Sequence, residues 1–364
     1  MNRREFLLHC VGGAAAAALS GGIGRMLPAE AMGRPRTPVM PATVAIQRFS
    51  DERKAARAVN AALERIGGID RIVSRGDLVV IKPNLVNATA GRWVGRTTNT
   101  RVTEAVIKAV IDCGGRPVVA EGTAEQAFGT TTGFAEQTGL LEVCRKCGAE
   151  FVDLNNDEPV PVRVPQPILW SEIHLARRAV ECNRFISVPV MKVHRAAGVT
   201  LGMKNLIGIT SAKVYGIGAY YTRAKLHNME RRLWEQQFGG DMIGENEIVD
   251  WAPLGATIAD LVSARPIDLV VVDGTFGEER NSPEGDLVDI KERCGSYLIL
   301  AGTDTVAVDA VGAHIMRQMP ERLQKLRFAT AKNIGTSDIS KIAVVGERLD
   351  EVAVPLRGYP LVRR

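Results

Sequence analysis

Four short apolar runs, LVVI at 78–81, PVVA at 117–120, FISV at 185–188 and LVVV at 269–272, constrain this chain more than anything else in it. A strand that is apolar at every position, rather than at alternate ones, has to be covered on both faces. Segments of helix length separate the runs, and that alternation builds right-handed β-α-β units around a parallel sheet. The expected fold is therefore α/β: a mostly parallel, Rossmann-like open sheet with helices on both faces.

The rest of the chain extends the same pattern. A strand at 43–49 precedes a helix that Ser50-Asp51 can cap and Gly67-Gly68 stops. Helices are expected at 102–113, 134–147 and 305–319, and further strands at 151–154, 297–301 and 342–345. Prolines alternating with valines in 158–168 break the pattern and suit either an edge hairpin or an insertion. Between 210 and 265 the chain is helical and more polar, including the segment around His227, and reads as a small helical cap. Residues 42–364 thus form a single domain.

What precedes that domain reads as an address. Arg3-Arg4 stand before Phe6-Leu7-Leu8, a weakly apolar Ala/Gly run covers 10–23, and Ala29-Glu30-Ala31 supplies a cleavage signal. The three parts in this order resemble a twin-arginine export signal over 1–31, followed by a flexible lead-in at 32–41. The run is too short and too rich in glycine and alanine to span about 30 Å of hydrocarbon. Expected from this are a mature start at Met32, the twin-arginine translocase as partner, a periplasmic or other extracytoplasmic location, and no stable membrane span after cleavage.

The four apolar runs end on or near Lys82, Glu121, the Lys192/His194 pair and Asp273. In an open parallel sheet those ends share one edge, where ligands bind in doubly wound folds. The stretch at 185–210 adds Lys204 and Asn205, held between apolar segments. Lysines suit phosphate or carboxylate groups as compact charges, amides entering a helix near Val199 could add anion-binding N–H groups, and His194 can exchange a proton near neutral pH. A histidine with two carboxylates, His194 with Asp273 and Asp309, could instead hold a divalent metal. Asp309 lies within an apolar helix, so it should be paired, by a lysine or histidine of the site, unless that face is a solvated stripe. Asp304 reads as the cap of the same helix. Lone histidines such as His174 and His314 are more often structural.

Other chemistries find no support. Basic residues are scattered, the net charge is +5 and aromatics make up 5%, so no nucleic-acid platform is expected. The loop at 273–286 has neither a dinucleotide-binding nor a P-loop pattern, and G-x-S-x-G and H-E-x-x-H are absent. The loop suits a mobile lid or a plain surface connection. Cys144 and Cys147 form a C-x-x-C at the end of a helix, where the dipole opposes a thiolate; a structural thiol pair or a disulfide is the reading.

IKPNL at 81–85, the K-x-H at 192–194, MKNLIGI at 203–209, Leu226-His227, VVDG at 271–274 and DTVAVDAVGA at 304–313 together resemble the DUF362 family over most of 75–320. The resemblance implies emphasis on Lys82, Asn84, Lys192, His194, Lys204, Asn205, His227, Asp273, Asp304 and Asp309. It also implies an occasional link to iron–sulfur proteins, and hence a redox partner protein. No run here has ferredoxin cysteine spacing, so a ferredoxin-type cluster within this chain is not expected. The site reading gives His194, Lys204 and Lys192 chemical roles and Lys82, Asn84, Asn205 and His227 contacts to a small anionic ligand. Catalysis, anion capture and metal binding all remain open from sequence.

Overall fold

The computed structural model describes residues 42–86, 94–124, 130–216, 223–239, 251–280 and 285–358. The expected export signal and lead-in lie outside these residues. Strand β1 (Thr43–Phe49) leads through Asp51, whose carboxylate caps the entry to the first helix by accepting from the Arg53 amide at 2.9 Å, into helix α1 (Ala55–Arg65). Units β2 (Leu78–Pro83), α2 (Thr100–Asp112) and β3 (Arg116–Glu121) follow. The helical stretch expected at 134–147 is two helices, α3 (Thr131–Gln137) and α4 (Leu140–Cys147), broken at Gly139, whose φ of +77° no longer fits a helix.

After β4 (Glu150–Asp153), the proline-valine segment folds as a separate hairpin of β5 (Pro159–Arg163) and β6 (Glu172–Ala176). Helix α5 (Arg177–Glu181) then delivers the chain to β7 (Arg184–Val188). A second small hairpin, β8 (Lys192–His194) and β9 (Gly198–Thr200), leads to a 3-10 helix at Lys204–Ile209. Helices α6 (Ala212–Tyr215), α7 (Ala224–Phe238) and α8 (Ala252–Ala264) come next. The two long helices of this stretch differ in kind. Helix α7 turns Leu226, Glu230 and Trp234 inward, whereas nearly every residue of α8 is buried, so α8 is part of the core.

The chain then runs through β10 (Leu269–Gly274), the hairpin β11 (Phe276–Glu279) and β12 (Asp286–Asp289), and α9 (Ile290–Cys294). It closes with β13 (Tyr297–Gly302), α10 (Thr305–Ile315), α11 (Gln324–Ala331) and β14 (Ala343–Gly346). Eight strands form the central sheet in the order β14-β1-β13-β10-β7-β2-β3-β4. Every neighbour pair is parallel except those made by β13, which runs against both β1 and β10. The fold is α/β with a mainly parallel sheet.

Alternation along the strands divides the core in two. Val79, Ile81, Ile186, Val188, Leu269 and Val271 join the cluster under α1 and α2, while Val80, Phe185, Val270 and Val272 face the side of α8, α10 and α11. Each buried Val, Leu or Ile contributes about 1.5–3 kcal/mol, so both faces hold the sheet firmly. The order β10-β7-β2-β3 also brings the four polar strand ends to one edge.

Candidate functional site

Lys82 ends β2 in a socket built entirely of protein. Its ammonium donates to Glu121 at 2.7 Å, to Asn205 Oδ1 at 2.8 Å and to the Pro83 carbonyl at 3.2 Å, which uses all three donors. Glu121 also accepts from the Leu85 and Gly122 amides at 3.0 and 2.7 Å. Asn205 donates to the Lys82 carbonyl and the Ser187 hydroxyl, and its Oδ1 accepts a second bond from Asn84 at 2.6 Å. Asn84 Oδ1 in turn accepts from the Val190 amide. Burial holds the Lys82 ammonium below its usual range, opposed by Glu121. Lys82, Asn84 and Asn205 were expected to contact a ligand; their polar groups are engaged with one another, and they form the floor that ties β2, β3 and β7 to the 204–209 turn. Gly208 makes this approach possible, since a Cβ there would sit 2.4 Å from Glu121 Oε1 and 2.8 Å from Lys82 Cε.

A second set of cations stands beside this floor. Lys192 and His194 are two residues apart on β8 and share a face, with Lys192 opposite Thr200. The buried Lys192 ammonium donates to the Arg96 carbonyl at 3.2 Å, and burial pushes it down to about 8, with Glu278 pulling the other way. His194 Nδ1 accepts from the Ala196 amide at 3.1 Å, which places the ring proton on Nε2. Burial and the charges of Lys204 and Lys192 hold this imidazole well below its ordinary range, so it is neutral at pH 7. Lys204 opens the 3-10 helix, is partly buried and partly exposed, and has no hydrogen-bond or ion-pair partner among the described residues. Burial, then Lys192, Lys325 and Lys82, push its ammonium down to about 7.

The carboxylates are otherwise occupied. Glu121 pairs Lys82, Glu278 accepts from Arg96 Nε at 2.6 Å, and Asp309 lies 3.8 Å from the buried Lys325 ammonium, which also donates to the Val199 carbonyl. Asp309 accepts from the Gly202 and Met203 amides at 2.7 and 3.3 Å and is pushed up to about 6 by burial against the Lys325 charge. The expected pairing of Asp309 is thus present, with a lysine whose position the sequence did not single out. Asp304 caps α10 through the Val306 and Ala307 amides.

Asp273 takes the opposite face. Val271 points under α2 and Val272 away from it, so Asp273 turns under α2 again, accepting from the Asn99 amide at 2.7 Å and from the Thr275 amide and hydroxyl. Burial pushes it up to about 6. The expected metal set of His194, Asp273 and Asp309 is therefore not assembled, because each carboxylate is committed to separate backbone amides. Among the described residues no group of three or more His, Cys, Asp or Glu side chains is placed to hold a metal ion. Nor does a helix begin near Val199, which is in strand β9.

His227 comes to the cluster from α7. Its Nδ1 lies 2.7 Å from Glu230 Oε1, it is within electrostatic reach of His194, and the fully buried Glu230 leaves Oε2 without a partner among the described residues. Sequence reasoning missed Glu230, although its i+3 spacing from His227 was the available signal. It also missed Arg223, a buried guanidinium that donates to Thr210, Gly122, Thr123, Asn155 and Gly208. Cys144 and Cys147 are free thiols raised by burial, Cys144 to about 12, so neither favours a thiolate.

The class defined by fold and site is an α/β protein with partly paired lysines and a neutral histidine at the C-terminal edge of a mainly parallel sheet. The chain belongs to the DUF362 family, described as a domain of unknown function, which it matches over residues 79–314. It is similar to "Thylakoid-associated protein sll1697" from Synechocystis sp., at 26% identity over 320 residues, covering 84% of this chain and 87% of that one. Among solved structures, the lactate racemase apoprotein from Thermoanaerobacterium thermosaccharolyticum matches with a TM-score of 0.41 at 14% identity, over 75% of this chain. This chain spans 55% of that protein's length. No helix among the described residues is long and apolar enough to cross a membrane.

Proposed function

We propose that this protein is an enzyme acting on a small anionic substrate, held where the β8–β9 hairpin, the 204–209 turn and the region of Lys325 meet. One observation carries the reading. Glu121, Glu278 and Asp309 account for Lys82, Arg96 and Lys325, which leaves Lys192 and Lys204 without a paired carboxylate among the described residues. Buried cations without counter-charges are costly, and a bound carboxylate or phosphate would supply the missing charge. In this reading Lys192 holds the anion, His194 Nε2–H donates a hydrogen bond to the reacting oxygen, and Lys204 exchanges a proton near pH 7.

A thermal-shift panel of phosphates and carboxylates tests it, because a ligand of the native state must stabilise that state, by about 2.7 kcal/mol at a hundred times its Kd. Lys204→Ala and His194→Ala should weaken binding of the best anion at least tenfold. Unchanged binding in both variants sinks the site. Tight binding with no chemical conversion would make the protein an anion-capture protein instead. We also propose that the chain is exported in folded form by the twin-arginine route, a reading supported by Arg3-Arg4, the weakly apolar run and Ala29-Glu30-Ala31. An intact mass from the periplasmic fraction that starts before Met32 would contradict it.

A further inference from the structure

We infer that Lys204 is a covalent nucleophile, and that the substrate class of this site is a 2-oxo acid that Lys204 captures as an imine. The inference rests on the anion-site reading above and deepens it. Three other buried lysines in this part of the fold have protein partners: Lys82 donates to Glu121 and Asn205, Lys192 to the Arg96 carbonyl, and Lys325 to the Val199 carbonyl beside Asp309. Lys204 has none among the described residues, although it is partly buried and the charges of Lys192, Lys325 and Lys82 bear on it. A lysine used only to anchor a charge gains from a carboxylate beside it. A nucleophile has to be free of one, because a paired ammonium carries no lone pair.

The neighbours fit the same chemistry. Burial and the Lys192 and Lys325 charges favour the neutral amine, as desolvation and adjacent cations do for reactive lysines generally. Lys192 spends one of its three donors on the Arg96 carbonyl among the described residues and can take a carboxylate. His194 has its proton on Nε2, which has no protein partner among the described residues and can polarise a carbonyl oxygen. The step balances without a redox partner. The Lys204 nitrogen attacks the carbonyl carbon, forming the C–N bond as the C=O π pair moves to oxygen. Both amine protons then leave with that oxygen as water, and the product is the C=N bond.

The test uses the full chain, with pyruvate as the 2-oxo acid probe and propanoate as the same-sized anion without the carbonyl. Each is incubated with sodium cyanoborohydride, and the chain is digested and mapped by mass spectrometry. Pyruvate should leave one reduced adduct on the Lys204 peptide, at least tenfold above any exposed lysine, and propanoate none. Lys204→Arg keeps the charge but cannot form an imine, and Lys204→Met removes both; circular dichroism checks that each folds. Both should abolish the adduct. Adducts spread over surface lysines, or none, overturn the inference. If propanoate and pyruvate then stabilise the chain equally, the anion site stands and only the covalent step fails; if neither stabilises it, both fail.

Discussion

Replacing Glu121 with glutamine removes the counter-charge from Lys82 while keeping the side chain's size and one acceptor. Lys82 is 1% exposed and Glu121 3% exposed, so water cannot compensate the lost pair. Breaking a buried ion pair by removing one partner costs about 3–5 kcal/mol. The loss has a ceiling, since Lys82 can shed its proton: neutralising a lysine of reference pKa about 10.4 at pH 7 costs about 1.36 × 3.4, or roughly 5 kcal/mol. At pH 9 the same ceiling falls to about 2 kcal/mol. Glu121→Gln should therefore lose about 3–5 kcal/mol at pH 7 and no more than about 2 at pH 9. The assay is urea unfolding of the chain with constant m-value. Lys82→Met combined with Glu121→Gln should recover at least about 1 kcal/mol relative to the summed single losses. A single-variant loss below about 1 kcal/mol at pH 7, or one that does not shrink at pH 9, would refute the reasoning.

Three further outcomes follow from the same geometry. Gly208→Ala places a methyl 2.4 Å from Glu121 Oε1 and should cost at least about 1–3 kcal/mol in the same assay. Arg223→Lys keeps the charge but replaces a guanidinium that donates from all three nitrogens with a three-donor ammonium, and should cost about 3 kcal/mol. Asp309 has a folded value raised from 3.8 to about 6, so the folded state binds its proton more tightly than the unfolded chain does. Its contribution is full below about pH 4 and is lost as pH rises through about 6. Wild type should accordingly lose about 2.4 kcal/mol relative to Asp309→Asn between pH 4 and pH 8, and a pH-independent difference would contradict the assignment.

The strand ends were legible because LVVI, PVVA and LVVV are apolar at consecutive positions and FISV departs only at Ser187, which specifies two covered faces, and because parallel strands put their ends on one edge. Which face each terminal side chain takes was not legible. Asp273 and Lys82 both follow an apolar run, yet the register turns Asp273 under α2 and Lys82 toward Asn205. The direction of β13 was hidden for a similar reason, since YLILA is equally apolar read either way, and the β11–β12 hairpin returns the chain antiparallel to β10. The candidate site was legible as a stretch of polar residues at 192–205, but the division of labour within it was not. Whether a lysine is saturated depends on partners 39 residues away for Glu121 and 123 residues away for Asn205. Lys325, Glu278 and Arg223 owe their roles to such contacts and have no local pattern to announce them.

The protonation of Lys204 bears most directly on the proposed chemistry. Competitive acetylation of the full chain across pH 5–11, followed peptide by peptide by mass spectrometry, reads the titration of each amine separately. Lys204 should titrate at about 7, with Lys192→Met moving its midpoint upward because one depressing charge is gone. Exposed lysines should titrate near about 10.4 in the same sample. A Lys204 midpoint that coincides with theirs, unmoved by Lys192→Met, would mean that the amine is an ordinary solvated cation and that the cluster around it is not a site.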